Sequence, residues 1–140
     1  MKVSAILMDT AHVMAHFAEW RHDSYPGLWN LQGRPLVAYV TEALRACPYV
    51  EAIGMLLPIA YQGTKWGKEA EVFLPARRGG LVEQLLEMLH RLGRPQRCIL
   101  FPANAPLVRG EMFTTFLEAV PRSSVLAYAV HRKERVEERF

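Results

Sequence analysis

The stretch Cys98-Ile-Leu-Phe-Pro-Ala-Asn-Ala-Pro-Leu-Val-Arg-Gly110 changes character twice. An apolar run from Arg97 to Phe101 predicts a buried strand. Pro102 to Pro106 then forms a tight polar turn, because the two prolines fix the backbone on either side of Asn104. A helix is expected to start near Gly110. In α/β proteins, ligands sit where strands end and helices begin, so Asn104 is the first residue to expect on the wall of a site.

Working outward, the same alternation recurs. Val3 to Met8 predicts a buried strand. His12 to His22 carries apolar residues at 13, 14, 17 and 20 and predicts a helix with Thr10 as its cap. Asp23 to Gly27 is a turn, Leu28 to Leu31 a short extended piece, and Gln32 to Pro35 a loop. A helix follows, with Pro35 at its first position, and runs to Ala46. Glu51 to Leu57 and Glu71 to Pro75 predict strands, with one or two helical turns between Ala60 and Lys68. Leu81 to Leu92 is the clearest helix, apolar at 81, 82, 85, 86, 89 and 92, with Gly93 placed to end it. Glu111 to Ala119 predicts another helix and Ser123 to Val130 a last strand.

Strands alternating with helices over short connections argue an α/β fold: a mostly parallel sheet with helices on both faces. The 140 residues suffice for one domain, expected over residues 1–130, with residues 131–140 as a charged tail. Half the residues are hydrophobic, and no apolar run is long enough to span a bilayer. The apolar start of the chain is too short for a signal peptide. A cytoplasmic protein without membrane attachment is the expectation. Cys47 and Cys98 are expected to be free, buried thiols rather than a disulfide or metal site.

The formal net charge of +3 is concentrated in residues 61–110, which carry eight Lys/Arg against four Asp/Glu. That excess can attract phosphates but is too modest to signal specific nucleic-acid binding. Arg77-Arg78-Gly79-Gly80 leads into the clearest helix, and a cation-rich turn at a helix start can hold a phosphate. His12 and His16 stand one helical turn apart near Asp9, but no Glu completes a His-Glu-x-x-His pattern, so no metal site is assigned. Ser4, Ser24, Ser123 and Ser124 lie in no glycine-elbow context, which argues against a serine hydrolase. His90 beside an apolar stripe reads as a partly exposed surface residue. Trp20, Trp29 and Trp66 read as cover over the core.

Pro102-Ala-Asn-Ala-Pro-Leu-Val108 resembles the "strand, Pro-Ala-Asp-x-Pro-Leu-Val, helix" signature of nucleotidyltransferases related to the molybdenum-cofactor guanylyltransferases and sugar-phosphate nucleotidyltransferases. Leu31-Gln-Gly-Arg-Pro-Leu36 looks like the family's "leu-gly-gly-lys/arg-pro-leu" segment, and Gly80-Leu-Val-Glu-Gln-Leu-Leu86 like its glycine-led helix. The resemblance implies a three-layer α/β/α nucleotidyltransferase-like domain, shortened at the C-terminus, with strand order 3-2-1-4. The crevice would then lie between Asp9 and Thr10 on one side and Asn104 on the other.

The chain departs from the family pattern at the chemistry. Leu7 to Met14 holds no glycine where the family has a Gly-rich phosphate loop, whose bare backbone lets N–H groups approach a triphosphate. Tyr25 to Asn30 holds no lysine. Asn104 replaces the family's metal-binding aspartate, and Asp9 and Asp23 are the chain's only aspartates. Magnesium is usually held through one or two carboxylates, and phosphoryl transfer needs cations to neutralise developing charge. The expectation is a degenerate, non-catalytic member, a pseudoenzyme without cofactor, that binds a nucleotide or phosphorylated small molecule or serves as an interaction subunit. Asp9, Thr10, Arg77, Arg78, Gly80 and Asn104 are its ligand-contact candidates. Two alternatives stand beside it: an active magnesium-dependent nucleotidyltransferase using Asp9 or Glu111 as metal ligand, and a homodimeric structural protein with no ligand.

Overall fold

Alternating apolar segments bury both faces of a parallel sheet. The computed structural model describes residues 1–8, 25–77 and 80–128. In chain order the elements are β1 (Val3–Met8), a 3-10 turn (Pro26–Leu28), β2 (Asn30–Leu31), β3 (Arg34–Pro35), α1 (Leu36–Ala46), β4 (Val50–Leu57) and a 3-10 turn (Ile59–Tyr61). They continue with α2 (Lys65–Glu69), β5 (Val72–Pro75), α3 (Leu81–Arg91), β6 (Cys98–Pro102) and α4 (Gly110–Ala119).

The main sheet is ordered β5-β4-β1-β6 and all its pairings are parallel. This is the 3-2-1-4 order the resemblance implies, with β1 and β6 adjacent at the switch point. Odd-numbered residues of β1 (Val3, Ala5, Leu7) pack with Val37, Val40 and Leu44 of α1 and Phe113 and Leu117 of α4. Ile6, on the opposite face, packs with Met88 of α3. The two faces follow from period-2 side-chain alternation. They also follow from a single crossover hand: β1 to β4 and β5 to β6 travel in opposite directions across the sheet, so α1 and α3 must lie on opposite faces.

The same rule explains a difference from the sequence reading. Ser123 to Tyr128 is not a strand, and Val125, Leu126 and Tyr128 are exposed. Helix α4 lies on the face of α1, so a parallel strand placed directly outside β6 would have the opposite hand to β1–α1–β4. Hydrophobic alternation cannot carry that information. The start of this segment is tied to the start of β6, where Arg97 Nη2 donates to the Arg122 carbonyl at 2.6 Å.

Strand β6 is a sheet edge among the described residues, and only Ile99 of it is buried. The expected buried strand is therefore half open, and Cys98 is exposed while Cys47 is buried as expected. Desolvation still raises the Cys98 thiol above its ordinary pKa, which keeps it protonated and a poor nucleophile. The expected loop at Gln32 to Pro35 is instead the return of a small antiparallel hairpin, β2–β3. Its turn residues Gln32 and Gly33 both take positive φ, 53° and 81°, the backbone that a two-residue hairpin demands. Gln32 lacks the usual Asn or Asp signal. Pro35 consequently ends β3 in extended backbone, and α1 begins one residue later.

Glu71 ties three elements together. Its carboxylate takes two bonds from Arg45 of α1, at 2.7 and 3.0 Å, and one from the backbone N–H of Ile53 in β4, at 2.7 Å. Burial pushes its pKa up, but the Arg45 and Ile53 bonds outweigh that and hold it below the ordinary value.

Candidate functional site

The carboxyl edge of the sheet is shaped at two places, the ends of β6 and β5. At the first, the chain leaves β6 still bonded to β1: the N–H of Ala103 donates to the Met8 carbonyl at 3.0 Å. Ala103 is buried and Asn104, next along, is half-buried. Pro102 is still in register with Met8, and beyond Asn104 Pro106 has no N–H to donate to a ladder. Helix α4 then starts in close contact with α1. A Cβ at Gly110 would lie 2.8 Å from Ala46 Cβ and 2.9 Å from the Ala43 carbonyl, so only glycine lets α4 begin there.

A second wall comes from residues 25–28. A Cβ at Gly27 would collide with Tyr61 Oη and lie 3.1 Å from the Ala103 carbonyl. The 3-10 turn thus runs directly against the backbone just before Asn104. Tyr61 is buried, and its ring meets Tyr25 edge-on with centroids 6.1 Å apart. Nothing in the local pattern marks Gly27 or Tyr61 as site-shaping residues. The only signal was a glycine in a Tyr-Pro-Gly turn, which is ordinary turn chemistry.

At the other end, β5 passes into the turn before α3. Gly80 takes the left-handed conformation (φ 63°, ψ 34°) as the N-cap of α3, and its carbonyl accepts from the N–H of Gln84 at 2.9 Å. The Arg77 side chain is exposed, while its backbone is held from both sides by one residue. Gln84 Oε1 accepts from the Arg77 N–H at 2.9 Å, and Gln84 Nε2 donates to the Arg77 carbonyl at 3.1 Å.

The described candidates, Arg77, Gly80 and Asn104, therefore share an edge without forming one cluster. Asn104 stands at the end of β6, and Arg77 and Gly80 stand at the end of β5. Strands β1 and β4 lie between, a separation of about 14 Å at ordinary strand spacing. Asp9, Thr10 and Arg78 lie outside the described residues, as do His12, His16 and Trp20. Glu111 lies on the outer side of α4, beside a shallow depression it lines with Met112, Thr115 and Phe116, while Phe113 and Leu117 point inward. Trp66 covers the core, as expected.

Among the described residues the donor set at the Asn104 turn is a neutral carboxamide and backbone carbonyls. Among the described residues no group of three His, Cys, Asp or Glu side chains could hold a metal ion. These residues do not fit a magnesium ion, which takes hard oxygen ligands and usually carboxylates.

No protein-family model and no curated protein matches this chain. Solved structures do. A hypothetical transferase from Thermus thermophilus superposes with a TM-score of 0.62 and 25% identity, over 87% of this chain and 48% of that one. A CMP:2-keto-3-deoxy-manno-octonic acid synthetase complexed with CTP also superposes at 0.62, with 14% identity, over 84% of this chain and 46% of that one. The fold is nucleotidyltransferase-like. The chain spans about half the length of these two structures, and its strand order and switch point agree with that assignment. No described helix is long and apolar enough to cross a membrane.

Proposed function

We propose that this nucleotidyltransferase-like domain binds a nucleotide, or another phosphorylated small molecule, along the carboxyl edge of its sheet, and does not transfer nucleotidyl groups efficiently. One observation carries the reading. The turn that leaves β6 beside β1, at the switch point, presents the neutral Asn104 where the resembling enzymes present a metal-binding aspartate. A carboxamide can donate and accept hydrogen bonds, so it can still orient a ligand. It cannot supply the negative charge that anchors a divalent cation beside a triphosphate. The solved synthetase with CTP supports a nucleotide as the ligand class. Arg77 at the far end of the same edge supplies a cation that binds phosphate or stacks on a base.

The test is a thermal-shift screen of ATP, GTP, CTP and UTP, each with and without magnesium, run beside a pyrophosphate-release assay with phosphorylated acceptors. Stabilisation without pyrophosphate release is expected, since a ligand that binds only the folded state raises its apparent stability. Pyrophosphate release would favour the active magnesium-dependent enzyme. No shift with any nucleotide, together with a tight dimer by light scattering, would favour the ligand-free structural protein.

A further inference from the structure

The buried side chain of Gln84 is the feature the proposed function does not use. It is 4% exposed and sits on α3, a helix otherwise packed by leucines and Met88 against the sheet. Burying a carboxamide in such a place is unfavourable unless both its ends are bonded. Both are bonded to one residue, Arg77.

The geometry of that pair is the geometry of a sheet. The Ala76 N–H donates inward to the Leu57 carbonyl of β4 at 2.9 Å. In extended chain, neighbouring residues point their backbone groups to opposite sides, so the N–H and C=O of Arg77 both face away from β4. Among the described residues no strand lies there, because β5 is the edge of its sheet. The carboxamide of Gln84 thus stands in for the missing strand, giving one acceptor and one donor to the two groups of a single residue. A carboxamide carries both functions side by side in one rigid plane.

Resting on the proposed ligand reading, we propose that Gln84 is a positioning residue: it fixes the backbone of Arg77, just past β5, so that Arg77 meets the ligand at the carboxyl edge. Gln84 itself points into the protein and need not touch the ligand. Without it, the Arg77 backbone turns to water for its bonds. Arg77 then samples other conformations, and binding has to order it again.

Gln84→Met keeps the length and packing of the side chain and removes both bonds. Affinity is measured for whichever of ATP, GTP, CTP and UTP, with magnesium, most stabilises the wild type. Gln84→Met is expected to weaken it about tenfold, the effect of one or two neutral hydrogen bonds. Arg77→Ala is expected to weaken it similarly. The double variant is expected to be no weaker than Arg77→Ala alone, because a positioned group that is absent cannot be mispositioned. Hydrogen exchange at the Arg77 amide, measured without ligand, is expected to speed up in Gln84→Met while exchange in β1 and β4 stays slow.

An unchanged affinity in Gln84→Met, or strictly additive losses in the double variant, would overturn the proposal and leave Gln84 a structural residue. If no nucleotide stabilises the wild type, the ligand reading fails and this role fails with it. The amide exchange then reports separately on whether the clamp forms.

Discussion

The two ends of the carboxyl edge are built by opposite means. At the end of β6, steric fit sets the backbone: Gly27 is wedged between Tyr61 and the Ala103 carbonyl, and Gly110 against Ala43 and Ala46. At the end of β5, hydrogen bonding sets it, through the carboxamide of Gln84 on both backbone groups of Arg77. A turn held by packing tolerates loss of polar groups and fails when atoms are added. A turn held by a polar clamp tolerates small volume changes and fails when a donor or acceptor is lost. The contrast bears on function, because the packed end carries the neutral Asn104 and the clamped end carries the cation.

Substitutions should separate these two designs. Tyr61→Ala removes a fully buried ring from the packed end and is expected to destabilise by about 3–5 kcal/mol. Gly27→Val adds atoms where no space exists and should cost about 1–3 kcal/mol by overpacking. Both are read by chemical denaturation, and a loss below 0.5 kcal/mol from Gly27→Val would show that the wedge is not tight. Gln84→Met, at the clamped end, is expected to cost about 1 kcal/mol while changing packing little. If it costs as much as Tyr61→Ala, the distinction between the two ends collapses.

Away from the edge, Glu71→Gln tests the tie between α1 and β4, with an expected loss of about 0.5–1 kcal/mol at neutral pH because the ion pair is partly exposed. The folded-state pKa of Glu71 is lowered, so its contribution is present above the ordinary glutamate pKa and is lost as pH falls through the lowered value. The stability gap between wild type and Glu71→Gln should therefore close on acidification. A gap that persists at pH 2 would assign the effect to shape rather than charge. The smallest stability effect is expected from Asn104→Ala, within about 0.5 kcal/mol, as for a partly exposed residue with no packing role.

Much of this architecture was legible in the sequence. Val3 to Met8 read as a strand from its apolar run, and Glu51 to Leu57 lies within the strand at Val50–Leu57. The helix read at Leu81 to Leu92 announced itself by period and ends at Arg91, and the 3-2-1-4 order came with the resemblance around Asn104. The hairpin at Asn30–Pro35 was hidden because Gln32 takes a left-handed conformation that its residue type rarely signals. The exposure of Cys98 and of Ser123–Tyr128 was hidden for another reason: edge position and crossover hand belong to the whole sheet and leave no mark on a local pattern. Asn104 and Arg77 were legible as candidates. Their separation by two strands was not, and neither was Gln84, whose partner is seven residues away in a turn rather than one helical turn along its own face.

The central claim is that this edge takes up a nucleotide without turning it over, and one paired measurement tests it most directly. Purified protein is incubated with each nucleoside triphosphate and magnesium while melting temperature and released pyrophosphate are both recorded. The account predicts a higher melting temperature with at least one nucleotide and pyrophosphate at the background level. Steady pyrophosphate release that disappears in Asn104→Ala would contradict it.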